Sequence, residues 1–155
     1  MQSRRFVFLD VMIVLVLIIL FSFYLIPYLL RRPTSYDIEA IGNLRTVVGS
    51  QKAYICAEGG YASTWKELRD EPIASGKPAY LDIDLSVVIR GYVYTLKPAG
   101  KLLVGTNGTT VYTDFICTAI PVKYKRESKR SFYVDSIGVI RFEYGKTANI
   151  DSDPI

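Results

Sequence analysis

Apolar and polar positions fall into three regimes along this chain. From Phe6 to Leu30 only Asp10, Ser22 and Pro27 interrupt an apolar run of 25 residues. As a helix it would be roughly 37 Å long at 1.5 Å per residue. A bilayer's hydrocarbon core is about 30 Å thick. The run therefore reads as a membrane-spanning helix. It is too long for the apolar core of a signal peptide, and "RRPTSY" follows it in place of a small-residue cleavage signal, so it is expected to stay attached as an anchor. Helical spacing then resumes, with Ile38, Ile41, Leu44, Val48, Gln51 and Ile55 at steps of three and four. Gln51 is the weak member of that stripe. Gly59-Gly60 supplies a helix stop, and Pro27 and Pro33 mark a kink at the junction. The spacing predicts one long, slightly bent helix from near Phe6 to near Glu58.

Beyond residue 60 the pattern changes. "STWKEL" reads as a short helix, with Thr64 and Glu67 spaced as a capping box. Strand patterns follow in "RGYVYTL" at 90–96, "TDFICTAI" at 113–120, "SFYVD" at 131–135 and "GVIRFEY" at 138–144. "KPAGK", "TNGTT" and "DSIG" read as turns. A sheet of three to four antiparallel strands needs a cover for its apolar face, and the stripe from Ile38 to Ile55 supplies one. The fold class expected is α+β: a long N-terminal transmembrane-amphipathic helix packed on a C-terminal antiparallel sheet. The organisation reads as a short basic leader (1–5), a transmembrane helix (6–30), its amphipathic continuation (31–58), and a loop and sheet region (59–155).

The net charge of +4 is placed unevenly. Arg4, Arg5, Arg31 and Arg32 bracket the apolar run, while residues 33–155 hold 15 basic and 14 acidic side chains. The basic balance thus belongs to the flanks of the apolar run, where arginines suit lipid head groups, and nucleic acid is not an expected partner. Because long domains translocate largely regardless of charge, the expected orientation has the N-terminus in the cytoplasm and the domain outside.

Catalytic chemistry finds little support. The chain has no histidine, which excludes histidine-based triads and imidazole metal sites. No glycine-rich phosphate loop precedes a helix, so no enzyme activity, cofactor or small-molecule substrate is expected. Cys56 and Cys117 are the only cysteines. Outside the cytoplasm such a pair can oxidise, and closing a loop of about 60 residues would contribute roughly 4 kcal/mol in the chain-entropy model. A disulfide is the expectation; the alternative is two buried free thiols. "VKYKRESKR" gathers Lys123, Lys125, Arg126, Lys129 and Arg130, which reads as a solvated loop or as a patch for an anionic surface. "LDIDL" and "DSDPI" each place two aspartates two residues apart, too few carboxylates for a calcium site without backbone help, and no metal is expected.

Phe6, the carboxylate Asp10 four residues later, the aliphatic run "VMIVLVLII" and Pro27, 21 residues after Phe6, together resemble the N-terminus of a type IV pilin or type II secretion pseudopilin. "KRSFYVDSIGVIR" also resembles the closing hairpin of many pilin-like proteins. The resemblance implies a pilin-like fold and a structural role as a pilus (fimbrium) or pseudopilus subunit in protein transport. Assembly would run through the N-terminal apolar helix, with other pilin-like subunits as partners in a homo- or hetero-oligomer. It implies the bacterial inner membrane with a periplasmic domain, or an extracellular fibre. Asp10 would be the assembly residue that neutralises a neighbour's N-terminal amine, and Pro27 the helix kink. The chain departs from the family in two places: Arg5 stands where the processing peptidase cuts after a glycine, before Phe6, and Asp10 replaces a glutamate. The alternative is a non-polymerising, membrane-anchored binding domain derived from a pilin.

Overall fold

The computed structural model describes residues 12–23, 25, 34–70, 76, 78–106, 108–124 and 130–155. The chain divides into two units, Met1–Pro33 and Thr34–Ile155. In the first, residues 12–23 form a helix, α1. In the second, the order is α2 (Ser35–Glu58), α3 (Trp65–Leu68), β1 (Tyr92–Val104), β2 (Thr110–Pro121), β3 (Arg130–Asp135), β4 (Arg141–Tyr144) and β5 (Asp153–Pro154).

The start of α2 corrects the expectation of one long helix. Thr34 is extended, with φ −74° and ψ 164°, and caps α2. Its hydroxyl accepts from Asp37 N at 3.2 Å, and Asp37 Oδ2 accepts from Thr34 N at 2.9 Å. This reciprocal box satisfies two amides that a helix beginning here would leave unpaired, a gain of typically about 1 kcal/mol. Among the described residues no helix is long and apolar enough to cross a membrane. α2, the longest described helix, carries charge along its length. The transmembrane, single-pass reading of the apolar run and the inner-membrane location built on it are therefore not supported. The expected end of α2 does occur: Gly59 takes the left-handed conformation, with φ 86°, and its N–H returns to Ile55 O at 2.9 Å.

The buried face of α2 is also turned from the one expected. Leu44 and Gln51 are buried, but Ile38 is 61% exposed. Ile41 and Val48 are only partly covered. The inward positions are Asp37, Ala40, Val47 and Tyr54, each one residue before the expected apolar one. Polar anchoring accounts for the shift. Asp37, Asn43, Ser50, Gln51 and Glu58 are all buried on this face, and each hydrogen bonds to the body of the unit. Tyr92 Oη donates to Asp37 Oδ1 at 2.8 Å. Asn43 Nδ2 donates to Tyr94 Oη at 3.0 Å, and Ser50 Oγ to Tyr80 O at 2.6 Å. Gln51 brackets Ala62, donating to its carbonyl at 3.0 Å and accepting from its N–H at 2.9 Å. Thr109 Oγ1 donates to Glu58 Oε2 at 3.3 Å. Rotating the helix to bury the isoleucines would strand these groups away from their partners.

The sheet is a five-stranded antiparallel meander in the order β1-β2-β3-β4-β5, against the three to four strands expected. The additional strand is β5, a two-residue pairing with β4. Tyr92 and Tyr94 of β1, Phe115, Cys117 and Ala119 of β2, and Phe132 and Val134 of β3 join Ala40, Leu44 and Val47 of α2 in one core. β1 runs straight through "KPAGK", which reads as a turn in sequence. A register shift between Ala99 and Leu102 absorbs the extra residue, so the chain bulges instead of reversing. Lys97, Pro98 and Lys101 sit around that bulge, exposed on the outermost strand. "DSIG" does turn, with Gly138 N donating to Asp135 O at 2.9 Å, and "TNGTT" turns with Gly105 N donating to Thr109 O at 2.7 Å.

Candidate assembly surface

Among the described residues, the feature with the least cover is α1. Its eleven large apolar side chains, from Met12 to Phe23, are 49% to 80% exposed. Nothing in the sequence between Met12 and Phe23 is charged, and Ser22 is the one polar residue. Branched aliphatics fill every side of the helix, so it lacks the polar face that lets a surface helix rest half in water. An apolar surface of this extent is normally buried against a partner. The residues that the sequence singles out around it, namely Arg5, Phe6, Asp10 and Pro27, lie outside the described residues.

Cys56 and Cys117 are both free, which corrects the expected disulfide. The geometry of α2 explains why. Tyr54 points into the core, and Cys56, two residues later, lies about 200° further round the helix. It is exposed, while Cys117 is fully buried beneath the opposite face. Burial pushes the Cys117 thiol well above its ordinary range.

The basic segment is only partly assembled by what is described. Lys125, Arg126 and Lys129 lie outside the described residues, and Lys123 is exposed beyond β2. Arg130 opens β3 with its guanidinium 5.0 Å from the ring centroids of both Phe142 and Tyr144. It donates to Tyr144 Oη from Nε at 3.0 Å and from Nη2 at 2.6 Å. Its charge is thus engaged in an aromatic clamp within the β3–β4 hairpin.

Neither aspartate pair gathers a cation site. Among the described residues no group of three or more metal-ligating side chains exists. Asp84 Oδ2 is taken by Arg69 Nη1 at 2.8 Å. Asp151 and Asp153 are exposed at the last strand.

The feature that sequence reasoning missed is Asp37, which caps α2 and also bonds the buried Tyr92. The spacing Thr34-x-x-Asp37 was the signal for it. Set against protein-family models, curated proteins and solved structures, the chain has no match in any of the three.

Proposed function

We propose that this chain is a structural subunit that assembles with other copies or related subunits through its N-terminal apolar segment, as a subunit of a type IV pilus or a type II secretion pseudopilus would. The exposed, all-round apolar surface of α1 is the observation that carries the reading. In a pair of copies, half-burying about five aliphatic side chains on each helix contributes roughly 8–15 kcal/mol, at about 1.5–3 kcal/mol per fully buried side chain, against roughly 4–15 kcal/mol lost in translational and rotational freedom on association. A pair still leaves the far side of each helix uncovered. A helix that is apolar on every side is fully covered only by several neighbours, which is the arrangement at the centre of a fibre. Asp10 is the candidate specificity element: a carboxylate drawn into such a core needs a cation there, and Arg4 or Arg5 of a neighbour is the nearest in sequence.

Sedimentation and electron microscopy of the full chain test this directly. The parent should form large, concentration-dependent assemblies. Leu17→Lys, which places a charge in the middle of α1, should leave small species. Asp10→Ala should reduce assembly, and Asp10→Glu should preserve it. A parent chain that remains monomeric at tens of micromolar, where about 7 kcal/mol of association energy would already show, would overturn the reading.

A further inference from the structure

A second surface, in the Thr34–Ile155 unit, has the shape of a ligand site. Between α3 and the segment 81–86 lies a cleft of about 360 Å³, within the range of roughly 300–1,000 Å³ typical of small-molecule sites. Its floor is apolar: Leu81 and Leu85 are buried in the core, and Trp65 packs against it. Its rim is polar and electrically balanced, with Lys66 and Arg69 opposing Asp70 and Asp84. Among these lining residues the charges cancel.

The centre of the rim is preorganised. Arg69 Nη1 meets Asp84 Oδ2 at 2.8 Å. Asp84 Oδ1 accepts from Ser86 N at 3.1 Å and from Ser86 Oγ at 2.5 Å, so the carboxylate is fixed from behind. Those Ser86 bonds, aided by Arg69, hold the Asp84 carboxyl below its ordinary range. Both partners are partly exposed, at 37% and 40% of their side-chain surface. The guanidinium has further N–H groups and the carboxylate further lone pairs than this pair uses. A donor and an acceptor are therefore offered side by side above an apolar floor.

We propose that this cleft binds a neutral saccharide. Adjacent hydroxyls are uncharged, and each both donates and accepts. One can take an N–H from Arg69 while its neighbour donates to Asp84, and the C–H face of the ring packs on Trp65 and Ile83. A ligand of net charge gains little from a balanced rim. An extended peptide carries its donors and acceptors along a line that a cleft of this size does not follow. The inference is independent of the assembly reading, and it departs from the sequence-based expectation of no small-molecule ligand.

Trp65 is the chain's single tryptophan, so its fluorescence reports on the cleft directly. The full chain is titrated with D-glucose, D-galactose, N-acetyl-D-glucosamine, maltose and lactose, and with a neutral tripeptide for comparison. At least one sugar should give a saturable change in Trp65 emission with a Kd in the millimolar range, on the order of 1 mM. Asp84→Asn and Arg69→Lys should each weaken that Kd tenfold or more. Ser86→Ala, which only loosens the support of Asp84, should weaken it less. Thermal midpoints close to the parent's will show that each variant is folded. The proposal is overturned if no sugar gives a saturable change up to about 100 mM, if the tripeptide binds and the sugars do not, or if both rim variants bind like the parent.

Discussion

Gly105 has no room for a side chain. A Cβ there would sit 2.5 Å from Glu58 O and 2.8 Å from Thr109 Oγ1, and the nearer atom is backbone that cannot swing aside. Gly105→Ala should cost about 1–3 kcal/mol, the range for forced overpacking. Gly42 is the contrast: it lies inside α2 with nothing within 4 Å of its Cβ position. Gly42→Ala should stabilise by up to about 1 kcal/mol through helix propensity alone. Urea unfolding of the two variants beside the parent checks both signs. The cysteines offer a second test at this scale. With Cys56 exposed and Cys117 buried, a thiol reagent should modify one site rapidly in the native chain and the second only on unfolding. Mass spectrometry of peptides should locate the fast site at Cys56. Protection of both thiols in the native chain, relieved by a reductant, would restore the disulfide.

At the scale of elements, α2 is held by a row of hydrogen bonds as much as by its apolar contacts. Gln51 is the clearest case: fully buried, it satisfies both backbone groups of the equally buried Ala62. Gln51→Leu keeps the bulk and removes both bonds. It should destabilise by about 2–6 kcal/mol, since each of the two unpaired buried backbone groups costs roughly 1–3 kcal/mol. Thermal or urea unfolding measures it. Periodicity recovered the stretch that forms α2 but not its start, together with its stop at Gly59 and the cores of four strands, because these depend on local spacing. It did not recover the inward face of α2, because counting only apolar positions ranks Gln51 as a flaw and ignores Asp37, Asn43 and Ser50. Nor did it recover the path of β1 through "KPAGK". Proline and glycine mark a turn or a bulge equally well, and only the pairing of Ala99 with Asp114 and Leu102 with Tyr112 distinguishes them.

Across the whole molecule, the apolar run dominated the sequence reading. It drew attention to the stretch that includes α1, whose apolar side chains are exposed. It also obscured the capping box at Thr34 and Asp37 that separates α2 from what precedes it. The cleft beside Trp65 was not legible at all, since Arg69 and Asp84 are brought together only by folding. One property belongs to the Thr34–Ile155 unit as a whole. Burial raises the thiol of Cys117 and the phenols of Tyr94, Tyr133 and Tyr61, with Asp135 and Asp114 adding to the shift at Tyr133 and Asp114 at Tyr61. Each group holds its proton more tightly when folded, so unfolding releases protons and stability falls as pH rises. The thermal midpoint should lose nothing to these groups below about pH 9, the ordinary thiol value. It should fall increasingly past about pH 10, where tyrosines of the unfolded chain ionise. Cys117→Val should shallow the onset of that decline in a calorimetric pH series.

The bulge in β1 has a consequence for the sheet's open borders. A sheet with open borders can be zipped to its neighbours' sheets, and crowding along a shared axis makes that hazard greater. Here one border carries Pro98 between an exposed lysine and the bulge, with Lys101 just beyond, and the other ends in Pro154. Neither proline has an N–H to offer a passing strand, and the lysines repel their own counterparts. Sheets that meet side by side are thereby hindered from fusing into cross-β stacks.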